Sequence, residues 1–551
     1  LLSDSIIEMK KYISYFLMIA VSVMYASCDS LLNLESETSV TTNWLQTDKE
    51  GLRRAIAGLY VYERDNIVDN SNEKGIVIIP QLFDFNTDIF LFNAGNWASL
   101  GRLTDLTPDS GILNDYWVFW YGVIGRANEI IESAKRLGLE DPEVKSVYGE
   151  ACLFRARSYF ELWKRFERIY LNTDPTEISN LERTYRPATK EEVFTLLKDD
   201  LDDAIDALSY EIPTYNNGVM YGRYTKATAK HVRAQVAMWE NDWDCVISQT
   251  EDILRDAKGI TELEEDPAVV FSSEELRSKE ILYAYQFSKN VGGGGVLSGT
   301  ALKGHPVPVY VTSQYSSVAG TICAAEQGGF GYGRDYPNMH LLEMYGPKDK
   351  RLDCYFVTKF YYNDPKSPNF GKEIVPGSGN GTQPSVYITN IHPMSRKHAD
   401  YWTNSDDPER KTSFRDLVVY RLAETVLMCS EAYLHKGENE LAVKYFNMTY
   451  GRAGNDPFVG TLTLEDLLDE YARELNFEGV RWPLLKRLGL LGEYCRKYEG
   501  ESMAENPHLN KDYTFARQNF VIGKHECWPI PSNQILLMGG SSVYPQNEGW
   551  N

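Results

Sequence analysis

Residues 142–166, PEVKSVYGEACLFRARSYFELWKRF, carry a clear helical pattern. Leu153, Ala156, Phe160 and Trp163 recur at spacings of three, four and three residues, which places them on one face of an α-helix. A helix with such an apolar face must bury it against a neighbouring element. The segment therefore predicts one helix of a packed helical scaffold.

Further helical patterns lie on both sides of this segment. Thr189 begins one of them as a cap, with Glu191 and Glu192 in the first turn. Helices are predicted over residues 48–64, 116–137, 189–208, 225–239 and 243–255, and again over 415–436, 439–450, 463–479 and 482–489. Pairs of helices spanning roughly 35–45 residues are typical of tetratricopeptide-like (TPR-like) stacking. The full TPR signature is absent, so a bundle without repeats is the alternative.

The middle of the chain has a different character. Residues 259–413 mix Gly, Pro and Asn with aromatic residues, and only residues 280–287 favour a strand. The tail from residue 506 onward is predicted to be extended. We therefore expect one domain over residues 44–551, with an N-terminal helical part (44–258), an irregular insert (259–413), and C-terminal helices with the extended tail (414–551).

The beginning of the sequence resembles a secretion signal. Lys10 and Lys11 precede an apolar run over residues 13–26, and Cys28 follows small residues. The run is shorter than the roughly 20 residues that a membrane-spanning helix needs. It predicts a lipoprotein signal peptide over residues 1–27, lipidation of Cys28 and a polar tether over residues 28–43. An ordinary secretion signal with a chance cysteine is the alternative.

Composition excludes several functional classes. The formal net charge of −22 and the sequence pI near 4.9 argue against nucleic acid, which selects basic surfaces. The cysteines after Cys28 are widely spaced and include no Cys-x-x-Cys, so neither a disulfide scaffold nor a zinc site is predicted. Cys152, Cys245 and Cys429 lie within helical patterns and are expected to pack as small apolar residues.

Several motifs follow one another along nearly the whole chain. They are WVFWYGVIGRAN (117–128), GEACLFRARSYF (149–160), GRYTK (222–226), RLAE with SEA (421–424, 430–432), RELNFEGVRW (473–482), WPIP (528–531) and QNEGW (546–550). Together and in this order they resemble the motifs of the SusD/RagB family of outer-membrane nutrient-binding lipoproteins of the Bacteroidetes, with Leu153-Phe154 and Glu548 as small departures. The resemblance implies a mainly α, TPR-like scaffold whose irregular insert carries the binding face.

The resemblance also places the ligand site. In the family, glycan sites lie on the non-helical side, in the loop that follows a D-x-x-x-D turn and in the middle insert. By position, this points to Asn96, Trp97, Arg102, Tyr310, Tyr315, Tyr332 and Trp402. Tyr and Trp offer flat faces for sugar rings at low entropic cost. Local packing is the alternative for each aromatic residue, and Trp97 and Trp402 are favoured because polar residues flank them.

Catalysis is not expected. Asp84 and Asp88 could form the carboxylate pair of a glycosidase, but they match the D-x-x-x-D turn, which is a structural element in the family. Arg421, Glu424 and the charged residues of 473–481 could likewise hold a catalytic pair, although an ion-pair network between helices is the preferred interpretation. No phosphate loop, metal site or cofactor motif is predicted.

The sequence thus predicts a lipoprotein of the outer membrane, anchored through Cys28 and facing the outside. It would bind an oligosaccharide or polysaccharide and deliver it to a SusC-like TonB-dependent transporter. Capture of peptides is the main alternative. A TPR-like interaction scaffold and a secreted glycosidase are further alternatives.

Overall fold

The computed structural model describes residues 48–68, 84–94, 97–175, 185–215, 218–272, 277–289, 291, 294–298, 301–379 and 381–550. The predicted signal peptide (1–27), the predicted lipidation site Cys28, the predicted tether (28–43) and the candidate ligand residue Asn96 lie outside these residues. Within them, no helix is long and apolar enough to cross a membrane.

Among the described residues, the N-terminal part is built from six long helices and one short helix. They are α1 (Lys49–Val68), α2 (Ala98–Arg102), α3 (Gly111–Leu137), α4 (Pro142–Phe166), α5 (Lys190–Ala207), α6 (Lys226–Glu240) and α7 (Trp243–Asp256). Three short strands accompany them: β1 (Phe90–Phe92), β2 (Thr214–Tyr215) and β3 (Gly218–Val219). Successive helices from α3 to α7 pack against one another, which is the stacking that the apolar stripes predict.

The insert contains short elements. Its helices are α8 (Pro267–Val270), α9 (Val307–Val311), α10 (Met339–Glu343), α11 (Arg351–Tyr355) and α12 (Pro384–Asn390). Its strands are β4 (Ile281–Tyr285), β5 (Val296–Ser298), β6 (Ala301–Lys303), β7 (Asp335–Pro337), β8 (Phe356–Val357) and β9 (Met394–Ser395). β1 pairs with β7, β2 with β3, β5 with β6 and β8 with β9, all antiparallel.

The C-terminal part returns to helices. After β10 (Leu417–Arg421) come α13 (Leu422–His435), α14 (Asn439–Tyr450), α15 (Leu464–Leu475), α16 (Arg481–Arg487), α17 (Leu491–Tyr498), α18 (Phe515–Asn519) and α19 (Ser532–Leu537). Helix α13 packs on α7 as well as on α14, so both helical parts share one stack. One buried cluster extends from Leu52 in α1 to Trp550 at the end of the tail.

Two local predictions are confirmed in atomic detail. Helix α4 has the predicted bounds. At the start of α5, the Thr189 hydroxyl accepts the Glu192 backbone N–H at 3.2 Å, and the Glu192 carboxylate accepts the Thr189 N–H at 2.8 Å. This capping box satisfies two backbone donors that a helix start leaves without partners.

The predicted helix over residues 415–436 is wrong in its first part. Residues 417–421 form β10, which pairs antiparallel with β4, and the helix begins only at Leu422. The sequence Leu-Val-Val-Tyr favours a pleated surface because branched and aromatic side chains pack well there. The apolar residues of this strand happen to continue the helical stripe of α13, which makes the helix look longer in sequence than it is.

The tail is more structured than the prediction of an extended segment. It contains the short helices α18 and α19 between extended segments, and the unpredicted helix α17 precedes it. Five- to eight-residue helices show little periodicity in sequence, so their apolar residues do not reveal a face.

A buried ion-pair network joins the insert to the C-terminal helices. The Arg421 guanidinium contacts Glu280 at 2.7 Å, Glu474 at 2.7 Å and Glu478 at 2.6 Å. Arg351 and Arg452 also contact Glu474, at 2.8 and 2.7 Å. Although burial opposes it, these guanidinium groups hold the pKa of Glu474 well below its usual range. The preferred interpretation of these charges as a structural network is thus confirmed.

Glu424 does not join Arg421 in this network. Its carboxylate accepts a hydrogen bond from the Gln235 side chain at 2.6 Å and lies 3.1 Å from Nε2 of His231. It therefore links α13 to α6 within the helical stack.

Candidate functional site

A cluster of aromatic and cationic side chains lies where the insert meets the loop after β1. The Trp97 and Tyr310 rings meet edge to face at 4.6 Å, and Tyr310 stacks on Tyr332 at 6.3 Å. Phe330 meets Tyr332 edge to face at 5.2 Å, and the Arg334 guanidinium lies 4.5 Å from the Tyr332 ring centre. We call these five residues the aromatic platform.

Only part of the aromatic platform reaches the surface. Trp97 and Tyr310 are 1% and 8% exposed, whereas Phe330, Tyr332 and Arg334 are half-buried. The outer members can therefore meet a ligand, and the inner members support them from below.

The preference for Trp97 as an exposed sugar platform is corrected by its burial. Its ring lies in the main core, edge to face with Phe85 at 6.4 Å and with Tyr310, and under the Arg334 guanidinium at 5.7 Å. Polar neighbours in sequence were misleading because the side chain of a loop residue can still point inward. The structure supports the packing alternative for this residue.

Backbone hydrogen bonds tie the loop of the outer rings to the segment around α9. The Tyr332 N–H donates to the Val309 carbonyl at 2.6 Å, and the Gly333 N–H donates to the Thr312 carbonyl at 2.9 Å. A Cβ atom at Gly331 would lie 2.1 Å from the Thr312 oxygen, so this close approach requires glycine. The loop thus holds Tyr332 in place before any ligand arrives.

Trp402 lies on the neighbouring loop of the insert. The Asp400 carboxylate accepts the backbone N–H groups of Trp402 at 2.9 Å and Thr403 at 2.7 Å, which fixes a tight turn. The Trp402 ring is half-buried, with the Arg415 guanidinium 4.7 Å from its centre. Its accessible part keeps it a candidate for ligand contact.

The two loops are joined directly. The Phe330 N–H donates to the Pro408 carbonyl at 2.9 Å, and Lys411 Nζ lies 5.0 Å from the Phe330 ring centre. Lys411 is exposed. The candidate face therefore combines the outer rings with two cations, Arg334 and Lys411.

Tyr315 and Arg102 have other surroundings. Tyr315 is buried; its hydroxyl donates to the Ala324 carbonyl at 2.9 Å and accepts the Ala324 N–H at 3.0 Å. The Arg102 guanidinium lies over the rings of Phe92 and Phe515, at 5.8 and 5.1 Å. Because its ring is buried, Tyr315 offers no surface to a ligand. The structure supports the packing alternative for this residue too.

Sequence reasoning missed Phe330, Arg334 and Lys411. The sequence of residues 329–334, Gly-Phe-Gly-Tyr-Gly-Arg, could have indicated Phe330 and Arg334, because glycines alternate there with large side chains. Such alternation lets a loop approach its neighbour closely while every second side chain points outward.

A buried acid lies behind the aromatic platform. Asp335 in β7 is fully buried, and its carboxyl oxygens have no hydrogen-bond partner among the described residues. Burial raises the pKa of Asp335 well above its usual range, against the opposing influence of Trp97 and Arg334.

Asp84 and Asp88 serve the fold. Asp84 accepts the backbone N–H groups of Phe477 at 2.9 Å and Arg481 at 3.0 Å, and Asp88 forms a two-point ion pair with the Arg481 guanidinium. Burial raises the pKa of Asp84 to about 7, although both backbone bonds oppose this. Both carboxylates are buried in contacts within the protein, which confirms the structural interpretation of the D-x-x-x-D turn.

Metal sites and enclosed cavities have less support from the structure as candidate functional sites. Among the described residues, no group of three or more His, Cys, Asp or Glu side chains could hold a metal ion. One cavity of about 90 Å³ borders the Glu161–Lys164 ion pair, and another of about 240 Å³ lies beside Tyr221 and Arg277. Both are smaller than the roughly 300–1,000 Å³ usual for small-molecule pockets.

Comparisons with known proteins agree with this architecture. Residues 284–550 match a family model described as the SusD family, and residues 59–237 match one described as SusD-like, "starch-binding associating with outer membrane". The SusD-like protein P2 of Formosa agariphila is 23% identical over 494 residues, which cover 84% of this chain and 86% of that protein.

Two solved structures show the same fold. The surface glycan-binding protein A of Bacteroides fluxus has a TM-score of 0.68 at 20% identity, covering 91% of this chain and 100% of that chain. A laminarin-binding SusD-like protein has a TM-score of 0.68 at 18% identity, with the same coverage. The shared architecture is the TPR-like helical fold, which confirms the predicted fold class over a bundle without repeats.

Proposed function

Because this chain belongs to the SusD family, we propose that it is a binding protein that captures an extracellular glycan. The observation that carries the proposal is the exposed part of the aromatic platform, where Phe330 and Tyr332 lie beside Arg334 and Lys411. Two proteins that share this fold are named for binding glycans, one of them laminarin.

The chemistry of the aromatic platform suits a sugar chain. The ring faces of Phe330 and Tyr332 can cover the apolar C–H faces of sugar rings. Arg334 and Lys411 carry several N–H donors for hydroxyl or acidic groups at the edges of those rings. Because Tyr332 is already fixed by its backbone bonds, little entropy is lost when a ligand binds.

We also propose how the protein is attached to the membrane and where it delivers its ligand. The signal pattern before Cys28 supports lipid anchoring at that residue, and one matched family is associated with the outer membrane. We propose that the protein faces the outside and passes its ligand to a SusC-like TonB-dependent transporter. No catalytic step is proposed, and Asp84 and Asp88 are engaged in holding the fold together.

Calorimetric titration of the purified protein tests glycan capture. We would titrate it with laminarin, starch, xylan, pectin and alginate. Tyr332→Ala should weaken binding of the recognised polymer at least about tenfold, because it removes the fixed outer ring of the aromatic platform. Trp402→Ala should weaken it as well if the neighbouring loop contributes.

The matched control is Tyr221→Ala. Tyr221 is 47% exposed, and it lies beside the 240 Å³ cavity rather than on the aromatic platform. It should bind like the parent protein. Absence of saturable heat across the polymers, together with binding of a peptide mixture, would replace glycan capture by peptide capture.

A further inference from the structure

Residues 360–374 of the insert form a hairpin that is closed by backbone hydrogen bonds. The Ile374 N–H donates to the Phe360 carbonyl at 2.8 Å, the Gly371 N–H to the Tyr362 carbonyl at 2.8 Å, and the Tyr362 N–H to the Lys372 carbonyl at 3.0 Å. We call residues 360–374 the distal hairpin. These backbone bonds fix the shape of its tip.

The distal hairpin exposes large apolar side chains. Tyr361 is 44% exposed and Phe370 is 58% exposed, and Ile322, in the loop beside the hairpin, is 46% exposed. Lys366 and Lys372 are also exposed. Apolar side chains clustered on an exposed, ordered element mark an interaction surface more often than scattered ones do.

The distal hairpin and the aromatic platform are connected through one loop. The Asn363 side chain accepts the Ile322 N–H at 2.8 Å and donates to the Ile322 carbonyl at 2.9 Å. The next residue, Cys323, donates from Sγ to the Pro408 carbonyl at 3.1 Å, and Phe330 donates to that same carbonyl. One loop, residues 318–333, therefore carries contacts to both surfaces.

Tyr315 fixes this connection from below. Its ring stacks on Phe360, at the base of the distal hairpin, with centroids 6.4 Å apart. Its hydroxyl exchanges two hydrogen bonds with the backbone of Ala324, in the shared loop. The buried Tyr315 therefore positions the distal hairpin relative to the loop that carries Phe330.

We propose that the distal hairpin is a second glycan-contact surface, which binds sugar units of the same chain next to those on the aromatic platform. The inference rests on the proposed function and deepens it: the substrate class is a polymer long enough to reach both surfaces. Tyr361 and Phe370 supply ring faces, and Lys366 and Lys372 supply N–H donors. Joining two contacts on one ligand makes the second contact effectively intramolecular, so affinity rises with chain length.

A length series tests the inference. The polymer that gives saturable heat is partially hydrolysed, and its oligosaccharides are separated by length and titrated individually. In the parent protein, affinity should rise once when the oligosaccharide is long enough to cover the aromatic platform. It should rise again when the oligosaccharide also reaches the distal hairpin. The double variant Tyr361→Ala/Phe370→Ala should bind short oligosaccharides like the parent but bind long ones about tenfold more weakly.

The other variants separate the possible outcomes. Tyr332→Ala should weaken binding at every length, and Tyr221→Ala should follow the parent throughout. If the double variant matches the parent at all lengths while Tyr332→Ala loses affinity, the distal hairpin contacts something other than glycan and the inference fails, although the proposed function stands. If no polymer binds the parent, the proposed function itself fails.

Discussion

At the scale of single residues, buried charges hold distant segments together. Arg421 is the last residue of β10, and its guanidinium contacts carboxylates from the insert and from the C-terminal helices. All these groups are almost completely shielded from water. A buried charge that loses its partner is costly, because neither solvent nor another residue compensates it.

Arg421→Ala should therefore destabilise the protein strongly. It removes one cationic partner from each of Glu280, Glu474 and Glu478. Losses of roughly 3–5 kcal/mol are usual for breaking such buried pairs. Urea unfolding followed by circular dichroism measures the change in the free energy of unfolding. Arg421→Lys should lower this free energy less than Arg421→Ala does, because it keeps the positive charge.

Lys348→Ala provides the comparison for that experiment. Lys348 forms an ion pair with Asp456 at 2.6 Å, but both side chains are largely exposed. Water and salt screen such a pair, so the variant should unfold like the parent. If Arg421→Ala and Lys348→Ala lowered the free energy of unfolding equally, the buried network would have no special role in stability.

At the scale of elements, helix packing depends on how closely two backbones approach. Gly149 lies in α4, where a Cβ atom would lie 2.6 Å from Cβ of Ala207 and 3.2 Å from the Leu208 side chain. Glycine at this position lets α4 and the end of α5 pack in close contact. At Gly125 in α3, by contrast, a Cβ atom would meet no neighbouring element within 4 Å among the described residues.

The two glycines should respond in opposite directions to alanine. Gly149→Ala should lower the free energy of unfolding by about 1–3 kcal/mol, because overpacking forces the helices apart. Gly125→Ala should raise it by up to about 1 kcal/mol, because alanine favours helix more than glycine does. Thermal and urea unfolding of both variants measures these changes, and stabilisation by Gly149→Ala would show that α4 and α5 are not in tight contact.

Helices and strands differed in how well the sequence revealed them. The apolar residues of α4 and α14 repeat at helical spacing over several turns, so their bounds are those predicted. Residues 417–421 show no comparable periodic pattern for a strand. This five-residue segment is a strand because it pairs with β4, more than a hundred residues earlier in the chain.

At the scale of the whole molecule, the proposed function requires that the chain be held at a membrane surface. We propose that a lipid on Cys28 provides this attachment. Acyl chains anchor a protein by burying CH₂ groups, at about 0.8 kcal/mol each. The proposed division of residues 44–551 into a helical part, an insert and a C-terminal part remains a prediction.

Cys28→Ser should release the protein from the membrane. The variant should appear in the soluble fraction, because it lacks the sulfur that would carry the lipid, while its glycan affinity stays that of the parent. Immunoblots of membrane and soluble fractions measure this distribution. A variant that stays in the membrane fraction would indicate attachment through a partner protein, whereas a parent protein already in the soluble fraction would indicate an ordinary secretion signal.

The sequence by itself predicted the helical scaffold, the family and a structural role for Asp84, Asp88 and Arg421, which the structure and the comparisons with known proteins confirm. Helical periodicity is local, and the family motifs are continuous stretches, so both can be recognised without tertiary structure. The segments that carry the candidate site were also identified, because their position in the chain follows from the family resemblance.

Only the tertiary structure decided which side chains of those segments can meet a ligand. Trp97, Tyr310 and Tyr315 are covered by residues from other parts of the chain, whereas Tyr332 and part of Trp402 remain accessible. Phe330, Arg334 and Lys411 come together through backbone contacts between two loops. The exposure of a loop residue depends on which distant segments pack over it, and no local pattern in the sequence records that.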